Sequence, residues 1–183
     1  LHNGIKLYEN AVKVLEELSN NKKKFILLTN APRPNQTVIN TLKKMGLNNF
    51  YDTVFTSGEA SKRYLLENFN NKKFFHLGPP RDFDLFKTFE SNKVLNIDDS
   101  DYLLCSGLFE EYENDLGYYK TLLLKHINKK MICTNPDLIV DRGNNREYCA
   151  GSIAKSFEEI NGEVIYFGLS LIHISEPTRL SRI

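Results

Sequence analysis

The stretch Lys24-Phe25-Ile26-Leu27-Leu28-Thr29-Asn30-Ala31-Pro32 decides the fold. Phe25 to Thr29 reads as a buried strand, a short apolar run bounded by turn residues. A hydroxyl stands where the strand stops, and Ala31-Pro32-Arg33-Pro34 turns the chain. In open α/β sheets, ligands bind outside the carboxyl ends of the strands. Thr29 and Asn30 are therefore candidates for holding a phosphoryl group, through a hydroxyl and backbone N–H donors. The same residues also suit a strand end followed by an ordinary turn, so both readings stand at this point.

Working outward, the spacing of Ala11, Val12, Val14, Leu15 and Leu18 predicts a helix over 9–19. A second helix is expected over 37–45, closed by Gly46. A short strand follows at 53–56. Ser57-Gly58-Glu59-Ala60 opens a helix running to about Asn68, with Ser57 as its expected N-cap. This alternation favours a parallel sheet with right-handed crossovers.

Asn70-Asn71-Lys72-Lys73 is a polar break and the expected domain boundary. A second alternating series comes after it. Strands are predicted at 74–77, 93–97, 102–105, 131–133 and 163–167. Helices are predicted at 81–90, 116–127 and 151–160. Gly78-Pro79-Pro80 and Thr134-Asn135-Pro136-Asp137 read as turns.

Composition is that of an ordinary globular chain of 183 residues, 41% hydrophobic and 26% charged, with a net charge of +1. No basic stripe interleaved with aromatics suggests nucleic acid. No run reaches the length of a membrane span. The start has no signal-peptide pattern and no initiator Met, so the chain is expected to begin mid-protein. Cys105, Cys133 and Cys149 form no Cys-x-x-Cys pair and read as buried, reduced thiols, which points to the cytoplasm.

The end of the chain reads differently. Leu169 to Arg179 resembles the translation of a transposon-end sequencing adapter. Residues 169–183 are therefore expected to be non-native and are left out of the fold.

Several landmarks stand in order: His2-Asn3-Gly4, Leu28-Thr29-Asn30-Ala31-Pro32-Arg33, Thr56-Ser57-Gly58-Glu59-Ala60, Cys133-Thr134-Asn135-Pro136-Asp137, Ala150-Gly151, and Val164 to Gly168. Together they resemble the haloacid dehalogenase superfamily, specifically its class IIA phosphatases of the NagD-like and pyridoxal-phosphatase-like group. The resemblance covers residues 1–168. It implies an α/β fold: a Rossmann-like core with an incomplete parallel sheet and an inserted α/β cap of the C2 type. The core is expected at 1–69, the cap at 70–163, and a return to the core at 164–168.

The resemblance also implies a mechanism. A nucleophilic Asp attacks phosphorus and forms an aspartyl-phosphate, and a second Asp protonates the leaving group. Mg²⁺ is held by acidic residues, and a hydroxyl and a Lys bind the phosphoryl group. In this chain only Thr29 and Asn30 match the family's phosphate-binding motif. No catalytic or metal-binding residue of the family is expected here, because the Asp pair would precede Leu1 and Leu169 stands where Lys is expected. Arg33, Asn135 and Asp137 are candidates for contacting substrate, although Asn-Pro-Asp also makes a turn by itself. The expected partner is a small phosphorylated metabolite. The family's cap surfaces often dimerise, so a homodimer is a further expectation. The rival function is a non-catalytic α/β module that binds a small phosphorylated ligand, or a degenerate member of the family. The acidic loop Asp98-Asp99-Ser100-Asp101 lacks cation-loop spacing and reads as solvated.

Overall fold

The computed structural model describes residues 1–50, 54–142 and 145–169. The first part contains α1 (Glu9–Asn20), β1 (Leu27–Thr29), α2 (Asn35–Lys44), β2 (Val54–Thr56) and α3 (Ser57–Asn68). β1 and β2 are parallel, with Thr29 opposite Thr56. Their core is small: Leu42, Leu47 and Val54 are buried, with Leu7, Val12, Leu27, Val38, Ile39 and Phe50 packed around them.

The second part contains β3 (Phe74–Leu77), β4 (Lys93–Val94), β5 (Tyr102–Cys105), α4 (Leu116–Leu123), β6 (Lys130–Cys133), β7 (Ile139–Arg142), β8 (Asn145–Tyr148), α5 (Ala150–Glu158) and β9 (Glu163–Tyr166). Five of these strands form one sheet in the order β4-β3-β5-β6-β9, and every pairing in it is parallel. β5 is buried along its whole length. One face packs on α4 and α5 through Leu103, Tyr119, Leu123, Met131, Ile153 and Phe157. The other packs on Leu65, Leu85 and Phe86 through Phe74, Tyr102, Leu104 and Ile132. Runs buried on both faces explain why these strands read as continuous apolar stretches.

Several sequence expectations change. The strand predicted over 25–29 is Leu27–Thr29, with Leu28 exposed instead of buried. The strand predicted over 163–167 is Glu163–Tyr166 and pairs with β6. The helix expected over 81–90 is two short 3₁₀ turns, Pro80–Leu85 and Lys87–Asn92, with a kink at Phe89. Phe83, Phe86 and Phe89 recur every three residues and pack on the same cluster. That period fits three residues per turn, which is 3₁₀ geometry. The strand over 93–97 shrinks to Lys93–Val94, because Ile97–Asp99 coil into another 3₁₀ turn. Lastly, Thr56 and not Ser57 is the N-cap of α3, its hydroxyl accepting from the Glu59 N–H at 2.9 Å.

The β7–β8 hairpin was missing from the sequence reading. It is antiparallel, with Arg142 opposite Asn145. In the sequence, Gly143-Asn144 between two short runs is a hairpin signal. Most of the non-native tail expectation, residues 170–183, lies outside the described residues. The three cysteines are all buried and unbridged. Burial pushes the Cys133 thiol up to about 12 and raises Cys105 as well, which keeps both protonated and inert.

Candidate functional site

The carboxyl ends of both parallel sheets line one cleft of about 940 Å³. β1 contributes Thr29 to Arg33, β3 is followed by Pro79, Arg81 and Asp82, β5 by Ser106 to Phe109, and β6 by Asn135 and Asp137. The β7–β8 hairpin adds Val140, Asp141, Arg146 and Tyr148. All five sequence candidates, Thr29, Asn30, Arg33, Asn135 and Asp137, therefore meet in one place.

Thr29 is the last residue of β1, at the edge of the described sheet and not at its centre. Its Oγ1 accepts from the Ala31 N–H at 3.2 Å. A hydroxyl that accepts through one lone pair still has its own proton to donate. The turn that follows is held from below by α3. Gly58 N–H donates to Ala31 O at 3.1 Å, and Thr56 Oγ1 donates to Arg33 O at 2.6 Å. A Cβ at Gly58 would overlap the backbone of Pro32 and Arg33, so glycine is required for this approach.

Asn30 joins three segments. Its Nδ2 donates to Asp137 Oδ1 at 2.8 Å, and its Oδ1 accepts from the Leu169 N–H at 2.7 Å. Asn135 Oδ1 accepts from the Asp137 N–H at 3.0 Å, which is an Asx turn. Thus Asn135 shapes its own turn, and Asp137 reaches across to the β1 loop. The turn is wedged between two glycines: a Cβ at Gly151 would overlap Pro136 O, and one at Gly168 would overlap the Pro136 ring. Ser57 is buried here too, donating toward Thr134 O at 2.7 Å and Ala31 O at 3.1 Å.

Sequence reasoning misses Asp82 and Ser106 and reads His76, which has no partner motif, as structural; all three are nearly fully buried. Arg33 Nε donates to Asp82 Oδ1 at 3.0 Å, Ser106 Oγ to Asp82 Oδ2 at 2.9 Å, and His76 Nε2 lies 2.9 Å from Ser106 Oγ. Burial raises the Asp82 carboxyl, with Arg33 and Ser106 opposing it. Burial, helped by Lys93, pushes His76 down to about 3, so the imidazole is neutral. No motif marks these three in the sequence, because they come from two strands, His76 within β3, Asp82 after it and Ser106 after β5.

A magnesium ion does not fit the residues described. Among them, no three His, Cys, Asp or Glu side chains cluster as metal ligands. In the cleft, Asp82 is engaged by Arg33 and Ser106, Asp137 by Asn30, and Asp141 by Arg146 at 2.9 Å. The acidic loop at 98–101 is likewise no cation site: its carboxylates are exposed, and Asp98 Oδ1 lies 3.8 Å from His126 Nδ1.

Residues 1–91 match the family model of the haloacid dehalogenase-like hydrolases. This chain belongs to that family. A haloacid dehalogenase-like hydrolase from Brucella suis 1330 is 28% identical, with a TM-score of 0.81 over 90% of this chain and 60% of that one. The chain thus spans less than two thirds of that relative. A 4-nitrophenylphosphatase from Thermotoga maritima is 25% identical, with a TM-score of 0.65 over 97% of this chain and 71% of that one. A putative nagD protein is 26% identical, with a TM-score of 0.63 over 96% and 70%. No curated protein sequence matches the chain. Among the described residues, no helix is long and apolar enough to cross a membrane.

Proposed function

We propose that this chain carries the phosphate-binding and substrate-covering parts of a phosphomonoesterase acting on a small phosphorylated metabolite. The observation that carries the reading is Thr29. Its hydroxyl sits at a strand's carboxyl end, lines the cleft, and has its proton left to give after accepting from Ala31 N–H. A phosphoryl oxygen is the acceptor such a donor suits. The Thermotoga maritima relative named as a 4-nitrophenylphosphatase supports the same chemistry.

By family resemblance the parent enzyme uses Mg²⁺ and an aspartyl-phosphate. Because the cleft aspartates Asp82, Asp137 and Asp141 are each engaged by a partner, and no three carboxylates cluster among the described residues, nucleophile and metal ligands are assigned to parts of the parent outside these residues. When bound, the ion would offset the charge of the phosphoryl oxygens. Buried, unbridged thiols fit a reducing compartment, and the cytoplasm is the proposed location. The engaged carboxylates also favour the second reading, a binding module without catalysis.

The test compares the 183-residue chain with one extended at both ends by the corresponding segments of the Brucella suis hydrolase. The extended chain is expected to hydrolyse 4-nitrophenyl phosphate with Mg²⁺ and to stop when the metal is chelated. The 183-residue chain is expected to bind inorganic phosphate weakly and turn over nothing. Equal, Mg²⁺-dependent rates would mean the nucleophile lies within these residues. No turnover by a folded extended chain that still binds phosphate would favour the binding module.

A further inference from the structure

The buried chain His76–Ser106–Asp82 has a fixed direction. A carboxylate only accepts, so Ser106 gives its one proton to Asp82 Oδ2. Ser106 must then accept from His76, which makes Nε2 the protonated nitrogen of the neutral ring. Gly78 makes room for this: a Cβ there would overlap Ser106 Oγ and come within 2.7 Å of His76 Nε2. The chain ends on Arg33, whose Nε meets the other oxygen of Asp82.

Burying a carboxylate costs stability, and packed apolar residues usually do as well or better. The Asp82 side chain is 3% exposed, yet Arg33, at 29%, remains partly open. The arrangement therefore spends a buried charge on holding one guanidinium at the wall of the cleft. Nε is one of five N–H donors, and among the described residues it is the one that meets Asp82. Among the described residues no hydrogen bond engages the Nη groups, which leaves them for an acceptor in the cleft. Arg33 stands four residues beyond Thr29 and lines the same cleft, and so does the exposed Arg81 next to Asp82. Two cations thus line the cleft that the Thr29 hydroxyl also lines.

We propose that Arg33, oriented by the Asp82–Ser106–His76 chain and seconded by Arg81, recognises a second anionic group on the substrate, a carboxylate or a further phosphate. This rests on the phosphate-ester reading above and narrows it: the substrate is a small phosphate monoester with an acidic group a few atoms from the ester. Arg33 is a specificity residue, and Asp82, Ser106 and His76 position it.

The test is calorimetric binding to the 183-residue chain of three probes with one three-carbon frame. They are propyl phosphate, 3-(phosphonooxy)propanoate and propane-1,3-diyl bisphosphate. At least one dianionic probe is expected to bind about tenfold more tightly than propyl phosphate, the scale of one charge-assisted hydrogen bond. Comparison of the two separates carboxylate from phosphate as the preferred group. Arg33→Gln is expected to abolish the preference, read as the ratio of each dianionic probe's affinity to that of propyl phosphate. Asp82→Asn, which keeps the shape but releases Arg33, is expected to reduce the preference with the fold intact by near-ultraviolet circular dichroism. Equal binding of all three probes overturns the proposal and leaves the phosphate reading standing. A uniform loss for all three in Arg33→Gln also overturns it, because Arg33 would then serve the transferring phosphoryl group. Failure of every probe to bind overturns the phosphate-ester reading and this inference with it.

Discussion

At the scale of single residues, His76 is the most exposed to pH. Its folded value, about 3, lies far below the ordinary 6.5. Above 6.5 both folded and unfolded chains hold it neutral, and it carries no pH dependence. Below 6.5 the unfolded chain takes a proton that the folded chain refuses. Stability therefore falls as pH drops from 6.5 toward 3, by up to about 1.4 kcal/mol per unit. Asp82 acts in the opposite sense. Its folded value is raised, so its contribution is present at low pH and lost as pH rises through that value. His76→Gln retains a side-chain donor for Ser106 but cannot charge. Urea midpoints at pH 7 and pH 5 are expected to differ less for this variant than for the parent chain; an equal acid loss in both would show that His76 is not buried neutral. The other groups facing His76 are Lys93, which depresses it, and Phe86, whose ring lies 4.7 Å away.

At the scale of elements, the amino end of α3 holds the site loop. Thr56 caps the helix on Glu59 N–H and donates to Arg33 O. Glu59 sits three residues on, as in a capping box, but its Oε2 accepts from Asn35 N–H at 3.3 Å instead of from the cap residue. The Thr56 N–H goes to Asn35 Oδ1 at 2.9 Å. Helix start, strand end and site loop are therefore one hydrogen-bonded unit. Thr56→Ala removes both the cap and the bond to Arg33 O, and leaves that carbonyl short of a buried donor. The expected cost is about 2 kcal/mol by chemical denaturation, the sum of a cap and an unmet acceptor. Thr56→Ser keeps the hydroxyl and is expected to cost less than half as much; similar costs for the two would mean the methyl group, and not the hydroxyl, matters.

Across the whole molecule, the two parts differ in how much apolar surface they bury. The five-stranded sheet is packed on both faces, with Phe74, Leu77, Leu103, Leu104, Met131 and Ile132 fully enclosed. In the first part, Ile26 just before β1 and Leu28 within it are 60% and 44% exposed, and Val14 and Ile5 are exposed as well. Burial of apolar area is the main source of stability. Amides of β3, β5 and β6 are therefore expected to exchange with solvent far more slowly than those of β1 and β2. Ile132→Ala is expected to cost about 2–5 kcal/mol as a core truncation, and to lower protection throughout the larger sheet. Protection of β1 equal to that of β5 would contradict this division.

The sequence by itself determined the strand that ends at Thr29, the alternation of strands and helices, the buried cysteines and the family. Each rests on local information: an apolar run, a turn residue, a helical period, an ordered set of short motifs. It also put Thr29, Asn30, Arg33, Asn135 and Asp137 forward one by one. Only the tertiary structure decided that they share one cleft, because strand ends far apart in sequence meet only when a parallel sheet forms. It also decided what they bond to. Asn30 is tied to Asp137 across 107 residues, and Arg33 to Asp82 across 49. Nothing local marks His76, Ser106 and Asp82 as a chain. The 3₁₀ turns after Pro80 were likewise settled by packing, where three phenylalanines outweigh helical propensity.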